Sequence, residues 1–397
     1  MSFCINSKYP PANRGTIIVW GLLSSMPIGG IFFQVLHHIV GFRRIGFDVW
    51  YVEDSDRTIP DEDTWMPTKD YSRYTDPISY AMELVGLQDR WIFRIPETAD
   101  ECLGATDFEG LMTLYKRADA VFNLCGSQET LPHHDVISCR AYLETDPVFP
   151  QISIASGKEE IIDAYEGYNY IFTYAENIGN IDCSLPTDRF TWHPTRPPVI
   201  TDWWNFSHDQ TKHNKLTTIA NWSTKDKDAE WKDKAYYWKK DFTRFIDLPS
   251  QSKIPLELAL KKIDETDRQK MQDHGWLITD ADEIVTLEMY RNYISTSLGE
   301  FTITKDSYAS ARSGWFSDRS VCYLAAGCPV ITEETGFSKF IPTGEGLFSF
   351  VREEEILKAI DAIYSDYQKQ SERAKEIAEE YFKAETILGN IVDILKI

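Results

Sequence analysis

The sequence predicts an α/β fold built from two Rossmann-like, doubly wound domains that face a cleft. The 397 residues exceed the usual length of one domain, which is roughly 100–200 residues. Strand, glycine-rich turn, helix and strand follow one another within residues 16–53, which is the pattern of a parallel βαβ unit. A second series of alternating segments begins after a proline-rich break at residues 194–198.

The first series opens with a buried strand at residues 16–20, which is an apolar run rich in β-branched side chains at Thr16, Ile17, Ile18 and Val19. A turn at 27–30 then precedes a helix with apolar spacing, and residues 48–52 form the next strand. The remaining elements predicted for this domain are a helix at 107–117 and strands at 120–124, 151–154 and 170–173.

The second series follows a domain boundary that we place at residue 198. Residues 1–198 are then the N-terminal domain, 199–375 the C-terminal domain and 376–397 a helix that crosses back. The strands predicted here are 215–221, 276–280, 300–304 and 329–332. The predicted helices are 255–263, 290–298, 319–326, 353–364, 370–382 and 385–397.

Composition narrows the function classes. The chain has 41 Lys and Arg against 62 Asp and Glu, a formal charge of −21. Nucleic-acid binding depends mainly on basic contacts to phosphates, so we expect no nucleic-acid partner. Seven scattered cysteines without a CxxC pair argue against a zinc site or a disulfide framework and favour a reducing compartment. Without an apolar run of 18 residues, we expect no membrane segment and a cytoplasmic location.

The most informative stretch precedes the helix predicted at 319–326. Ser317 or Asp318 can cap this helix, which places Arg319 in its first turn. A helix N-terminus offers free N–H groups and a partial positive charge to a phosphate, and an arginine adds charge-assisted hydrogen bonds. The alternative is that Arg319 pairs with a neighbouring acid. The candidate donor-binding residues here are Ser313, Gly314, Trp315, Asp318, Arg319 and Ser320.

A glycine-bearing loop after the next strand is a second candidate. Thr335, Gly336 and Phe337 follow residues 329–332 directly, and their backbone N–H groups can face a diphosphate or sugar hydroxyls. Lys240 and Lys305 add point charges that can reach a diphosphate. The alternative for Lys240 is a solvated charged surface.

The run from Ser313 to Gly336, with residues 380–382 in the tail, resembles the C-terminal half of group 1 glycosyltransferases with the GT-B fold. It is most similar to the spore-maturation-type branch and its uncharacterised bacterial relatives. That branch carries a Gly-Arg-Thr/Ser entry to a helix, a Gly-x-Pro-Val segment and a Thr-Gly loop. The counterparts here are Arg319-Ser320, residues 327–330 and Thr335-Gly336.

The resemblance implies C-terminal helices that pack back on the first domain and a hexosyltransferase-like activity. A sugar would move from a nucleotide-diphosphate sugar, the donor substrate, to a small-molecule or glycan acceptor, with no required cofactor. One departure matters. Retaining members of the wider group carry two glutamates, and the corresponding positions here are Gly314 and Cys322. Two alternatives therefore stay open: a catalytically silent sugar-nucleotide or glycan-binding protein, and a sugar-nucleotide epimerase.

Acceptor activation needs a base, and acidic side chains near predicted strand ends supply candidates. These are Asp54, Asp146 and Glu176. Gly29 and Gly30 allow close backbone approach on the acceptor side. The adjacent His133 and His134 form a weaker candidate because neighbouring side chains on an extended loop point apart.

A metal site is not expected. Asp54-Ser55-Asp56 resembles the metal-binding Asp-x-Asp of the other major glycosyltransferase fold, but such spacing is common in an acidic chain. Tandem βαβ domains also disfavour that fold. We therefore predict no required metal ion.

Overall fold

The structure is a computed structural model that describes residues 9–56, 70–96, 98, 100–205, 214–222 and 228–397. Its N-terminal half is built on one sheet, and the strands of this sheet are β1 (Thr16–Trp20), β2 (Asp48–Glu53), β3 (Trp91–Arg94), β4 (Cys102–Gly104), β5 (Ala120–Leu124), β6 (Arg140–Glu144), β7 (Tyr170–Thr173) and β8 (Trp192–Pro194). The helices of this half are α1 (Gly29–Arg44), α2 (Ser72–Leu84), α3 (Phe108–Arg117), α4 (Phe149–Ala155) and α5 (Glu159–Glu166).

The N-terminal sheet has the order β4-β3-β2-β1-β5-β6-β7-β8, and β4 is its antiparallel strand. All five residues of β1 are buried because helices cover both faces of the sheet at its centre. The chain runs outward from β1 to β2 and then returns to the other side at β5. This reversal creates a crevice at the carboxyl ends of β1 and β5, where ligands of doubly wound folds bind.

The C-terminal half repeats this plan. Its elements are β9 (Leu216–Asn221), β10 (Asp228–Trp231), β11 (Lys234–Tyr237), α6 (Leu248–Gln251), β12 (Leu256–Lys261), α7 (Glu265–Asp273), β13 (Leu277–Asp280), α8 (Leu287–Ser295), β14 (Gly299–Thr302), α9 (Asp306–Ala311), α10 (Asp318–Ala325), β15 (Val330–Glu333), β16 (Leu347–Phe350), α11 (Glu353–Ser365), α12 (Tyr367–Tyr381) and α13 (Ala384–Leu395). The parallel sheet has the order β13-β12-β9-β14-β15-β16, so its crevice lies between β9 and β14.

The β10–β11 hairpin stands apart from both sheets. Its two strands pair antiparallel with each other, and β10 contacts α4 of the N-terminal half. Tyr236 of the hairpin is buried in one apolar cluster with Ile152 and Ile154 of α4. The hairpin therefore joins the two halves near the carboxyl ends of β5 and β6.

The last helix returns to the N-terminal half. α13 packs against α1 so closely that a Cβ atom at Gly41 would lie 2.5 Å from Leu388 Cδ1. Val199 also forms a parallel bridge with Lys383. The two sheets separate between β8 and β9, an interval that contains residue 198. The domain limits at 198 and 375 stay predictions.

The structure confirms the α/β class and corrects several elements. Residues 255–263 were expected to be helical, but they contain β12, a central strand between β9 and β13. Residues 151–154 were expected to be a strand, but they lie in α4. The elements that were not predicted are the strands β3, β4, β6, β8, β10, β11 and β16 and the helices α2, α5, α6, α7 and α9. None of the helices in the described residues is long and apolar enough to cross a membrane, and the six cysteines of that part are free.

Candidate active site

Residues from both halves meet around the N-terminus of α10. The carboxyl of Asp318, the first residue of α10, accepts hydrogen bonds from the Gln34 amide of α1 and from the Tyr174 hydroxyl after β7, each at 3.4 Å. Burial, together with the negative charge of Asp146, raises the pKa of Asp318 to about 7. The cleft therefore holds a carboxyl that takes up a proton near neutral pH.

Arg319 points away from solvent and into the C-terminal sheet. Its Nε donates to the buried Glu300 of β14, one Nη donates to the Ile219 carbonyl at 2.8 Å, and the other donates to Thr302 Oγ1 at 2.9 Å. Ser317 caps the helix by accepting from the Arg319 backbone N–H. This arrangement matches the alternative in which Arg319 pairs with a neighbouring acid, so a direct contact with a diphosphate stays a prediction.

The loop before α10 is fixed against the N-terminal half. Gly314 adopts a φ of +81°, and a Cβ atom there would lie 2.4 Å from the Asn177 backbone nitrogen. Trp315 Nε1 donates to the Thr145 carbonyl at 2.8 Å, and its ring stacks on Tyr308 at 4.4 Å. The buried Ser313 donates from Oγ to the Tyr308 carbonyl. Glycine is therefore required at position 314 by backbone geometry.

The loop after β15 supports the same segment. Thr335 is buried, and its Oγ1 donates to the Trp315 carbonyl at 2.7 Å. Gly336 has a φ of +102°. Phe337 is buried against Phe316, and Ser320 on α10 is also buried. The structure thus brings the predicted donor-binding loops together, with several of these side chains engaged in packing.

Lys305 and Asp146 join the halves at the edge of the cleft. Lys305 Nζ donates to Asp146 Oδ1 at 2.9 Å and lies 3.1 Å from the centre of the Trp238 ring. The Tyr308 hydroxyl donates to the same carboxylate oxygen. The Asp146 side chain is 54% exposed, so it combines a position at the junction with access to solvent.

Lys240 differs from its cationic neighbours. It lies close to Arg319, Lys305, Glu300 and Glu333. Glu300 is paired with Arg319, and Glu333 with Arg244. Within the described residues, the Lys240 ammonium makes no ion pair or hydrogen bond. Burial, with the positive charges of Arg319 and Lys305, lowers the pKa of Lys240 well below the ordinary value of a lysine.

A second polar cluster surrounds Asp54 at the end of β2. The buried carboxylate accepts from Arg94 through Oδ1, while His133, His134 and the Tyr115 hydroxyl each approach Oδ2 at 2.8 Å. Burial opposes ionisation, but these hydrogen bonds outweigh it and hold the pKa of Asp54 below its ordinary range. The expectation that the two histidines point apart is wrong because a 3₁₀ helix at Pro132–Val136 turns both toward Asp54.

The cluster of Asp54, His133 and His134 has the spacing of a three-ligand metal site. The tautomer of His134 does not fit this role. Its Nδ1 accepts a hydrogen bond from the Leu131 backbone N–H at 3.0 Å, so the ring proton lies on Nε2 and is donated to Asp54. A metal would need the Nε2 lone pair, and Arg94 already neutralises the carboxylate.

The remaining predicted residues lie at contacts within the protein. Glu176 is half-buried and forms a bidentate pair with Arg196. Gly29 packs against α8, where a Cβ atom would lie 2.4 Å from Tyr290 Cβ, and its N–H donates to the Val285 carbonyl. Gly30 has more space, since a Cβ atom there would lie 3.7 Å from the Tyr290 ring. These glycines allow α1 to approach α8 of the other half.

A cavity of about 870 Å³ adjoins the junction and was not predicted. It lies beside the carboxyl ends of β5 and β6, and Glu144, Tyr142 and Tyr165 are among its lining residues. The sequence signal that could have found it is the alternation of residues 140–144, a strand whose final residue is Glu144.

No protein-family profile matches the chain, and no curated protein is similar to it in sequence. Solved structures do match over nearly the whole length. An alpha-glucosyltransferase in complex with UDP-glucose and DNA containing an abasic site has a TM-score of 0.60 at 13% identity, covering 96% of this chain and 100% of that one. HepE from Anabaena, in complex with UDP and glucose, has a TM-score of 0.53 at 12% identity, covering 96% and 100%.

Sucrose-phosphate synthase from Thermosynechococcus elongatus has a TM-score of 0.53 at 10% identity, covering 96% of this chain and 98% of that one. At these identities the likeness shows the fold, which is the two-domain GT-B arrangement of glycosyltransferases. It also corrects one expectation. We excluded a nucleic-acid partner on net charge, but a similar protein of this fold is found with DNA. The exclusion is therefore wrong, because total charge does not describe the surface of one cleft.

Proposed function

We propose that this protein is a glycosyltransferase that moves a sugar from a nucleotide-diphosphate sugar to an acceptor hydroxyl without a required metal ion. The observation that carries the proposal is the Lys240 ammonium, which makes no ion pair among the described residues and lies close to Arg319 of α10 and to Lys305. An anionic ligand at this place supplies the missing charge and favours the protonated lysine. A diphosphate is such a ligand.

The residues have distinct roles in this proposal. Lys240 and the N-terminal N–H groups of α10 stabilise the leaving diphosphate, while the Thr335-Gly336 loop holds the segment before α10 in place. Arg319 has an indirect role, in which its hydrogen bonds to Glu300 and Thr302 hold α10 against β14. Lys305 adds positive charge at the junction, where it also positions Asp146.

Asp146 is the proposed general base. All three candidate carboxylates are paired, but Asp54 is fully buried and Glu176 is 14% exposed, whereas Asp146 is 54% exposed at the junction. In the transfer step, the acceptor oxygen forms a bond to the anomeric carbon and gives its proton to Asp146. The bond from that carbon to the diphosphate oxygen breaks, and the nucleoside diphosphate leaves with the electron pair.

The first donors to test are uridine-based, since two of the similar structures contain UDP or UDP-glucose. The acceptor panel includes duplex DNA beside glycans, because one of those structures also contains DNA. The assignment to the spore-maturation-type branch rests on the sequence motifs and is part of the proposal.

Neighbouring lysines offer a matched test of donor binding. We expect UDP to raise the melting temperature of the wild type, since a ligand at 100 times its Kd stabilises a protein by about 2.7 kcal/mol. Lys240→Met should weaken UDP binding at least tenfold. Lys239→Met should leave it unchanged, because Lys239 is exposed and lies over the Tyr237 ring. Both variants are measured by thermal shift and calorimetric titration, with magnesium and with EDTA.

Equal UDP affinities in the two variants would contradict the role of Lys240. A requirement for magnesium would contradict the metal-independent mechanism. Turnover separates the proposal from its alternatives: UDP release only in the presence of an acceptor supports transfer. Interconversion of sugar nucleotides indicates an epimerase, and binding without either reaction indicates a silent binding protein.

A further inference from the structure

The cavity beside β5 and β6 has the dimensions of a ligand site. Its volume of about 870 Å³ lies within the range of roughly 300–1,000 Å³ that small-molecule sites occupy. Trp238 of the C-terminal half closes one side, where its ring meets Phe149 edge to face at 5.1 Å. Asp146 also lines the cavity, so this space connects with the edge of the proposed donor site.

Aromatic rings form much of the wall. Tyr142 lies between Tyr165 and Tyr168, with ring centres 4.5 Å and 5.1 Å away. Gly126 makes this arrangement possible, because a Cβ atom there would lie 2.3 Å from the Tyr142 hydroxyl. Aromatic faces bind the C–H surfaces of sugar rings and attract cations.

Two buried polar atoms on the cavity wall belong to side chains that lie close to each other, and neither atom makes a well-aligned hydrogen bond within the described residues. They are Oε1 of Glu144 and the hydroxyl of Tyr165. Glu144 is 2% exposed, and its other oxygen accepts from Gln151 and Thr173, each at 2.6 Å. An unsatisfied buried oxygen costs free energy unless a ligand or water donates to it. These atoms are therefore suited to a ligand that donates hydrogen bonds.

The charge of the lining determines the kind of donor. Among the lining residues, six are acidic and Lys158 is basic; the acidic ones are Glu129, Glu144, Asp146, Glu160, Asp163 and Asp228. Such a lining repels phosphates and carboxylates and attracts an ammonium group. A neutral sugar carries no positive group that would compensate the negative charge of these acidic residues.

We infer that this cavity binds the acceptor and that the acceptor carries an amine on a hydroxylated ring, as an amino sugar does. The ammonium donates to Glu144 Oε1, the ring lies against the tyrosines, and a hydroxyl reaches Asp146 at the junction. The role of this ligand as an acceptor rests on the proposed function. Binding of the ligand in the cavity can be tested independently of that function. The ligand proposed for the cavity is therefore cationic, whereas a nucleotide is anionic.

The probes are D-glucosamine, D-glucose and D-glucuronate, which differ in charge on a common ring. Binding is measured at pH 7 by ligand-observed NMR with UDP present in excess, so that the donor site is filled. We expect glucosamine to bind at least tenfold more tightly than glucose, since a buried hydrogen bond to a charged group contributes about 1.5–3 kcal/mol. Glucuronate should not bind.

Two variants locate the interaction. Glu144→Gln keeps the shape of the side chain and should reduce the preference for glucosamine at least tenfold. Asp163→Asn changes an exposed residue of the lining and should weaken glucosamine binding in a protein that folds normally. Glu159→Gln is the matched control, because Glu159 lies on the same helix as Asp163 but outside the lining.

Equal binding of glucose and glucosamine would overturn the inference, as would loss of glucosamine binding when UDP is added. Wild-type affinity in both Glu144→Gln and Asp163→Asn would also overturn it. The proposed function fails separately: if glucosamine binds while UDP does not, the cavity is a binding site in a protein that is not a nucleotide-dependent transferase.

Discussion

At the scale of single residues, Arg319 shows how a charged side chain can serve a site without facing its ligand. Its three guanidinium nitrogens are engaged by Glu300, Ile219 and Thr302. Glu300 is fully buried and has one oxygen without a hydrogen bond within the described residues. Removing the arginine would leave this buried carboxylate without its ion-pair partner, with the Thr218 hydroxyl as a donor at 3.4 Å.

Arg319→Ala is therefore expected to destabilise the fold by about 3–5 kcal/mol, the cost of breaking a buried ion pair. The measurement is the urea midpoint, read beside UDP affinity. Glu300→Gln with Arg319→Met removes both charges and should recover part of the loss. If Arg319→Ala abolished UDP binding while the midpoint stayed at the wild-type value, the arginine would contact the donor directly.

Asp318 provides a pH-dependent test at the same scale. Its pKa is raised from 3.8 to about 7 by burial and by Asp146, so the folded state holds a proton that the unfolded state has released between these values. Stability from this group is present below pH 4 and is lost as pH rises toward 7. Asparagine does not ionise, so Asp318→Asn should lack this pH-dependent loss of stability.

The melting temperature of Asp318→Asn relative to that of the wild type should therefore rise between pH 5 and pH 8. The increase corresponds to about 1–3 kcal/mol in the free energy of unfolding. Glu159→Gln, an exposed control, should show no such trend. A constant difference between Asp318→Asn and the wild type across this range would mean that Asp318 is already ionised in the folded protein at pH 5.

At the scale of elements, the sequence predicted most of the C-terminal half and less of the N-terminal sheet. β12 was mistaken for a helix because Leu256, Glu257 and Ala259 are helix-forming residues, whereas the alternation of its leucines reflects a central strand. Residues 151–154 are rich in β-branched side chains, yet Pro150 and the Gln151 side chain initiate α4 there. Tertiary position overrode local preference in both segments.

The candidate site divides in the same way. The segment at 313–320 carries a recognisable motif before α10, and the loop at 335–337 carries one directly after β15, so both could be located from the sequence. The partners of Asp54 and the lining of the cavity depend on β6 and on a 3₁₀ helix that brings His133 and His134 to β2. Because these residues lie about 80 positions from Asp54, spacing in the sequence carried no sign of their contact.

At the scale of the whole molecule, one apolar cluster runs through both halves. It includes Phe33 of α1, Trp204 in the chain segment between β8 and β9, and Tyr290 of α8. The Phe33 ring centre lies 4.7 Å from that of Trp204 and 5.7 Å from that of Tyr290. α13 adds contacts from the end of the chain to α1, so each half buries part of its apolar surface against the other, although each also has a smaller cluster of its own.

This continuity predicts one cooperative unfolding transition for the chain, visible as a single peak in scanning calorimetry, although proteins of this size often unfold in steps. Phe33→Ala should lower the melting temperature of the whole peak, since truncating a buried phenylalanine costs about 3–5 kcal/mol. Tyr364→Ala, a control at a side chain that is 64% exposed, should have little effect. UDP should move the entire peak upward, because its proposed site adjoins the same cluster. Two separated peaks, with UDP shifting only one, would show that each half folds on its own and that the cleft is held by weak contacts.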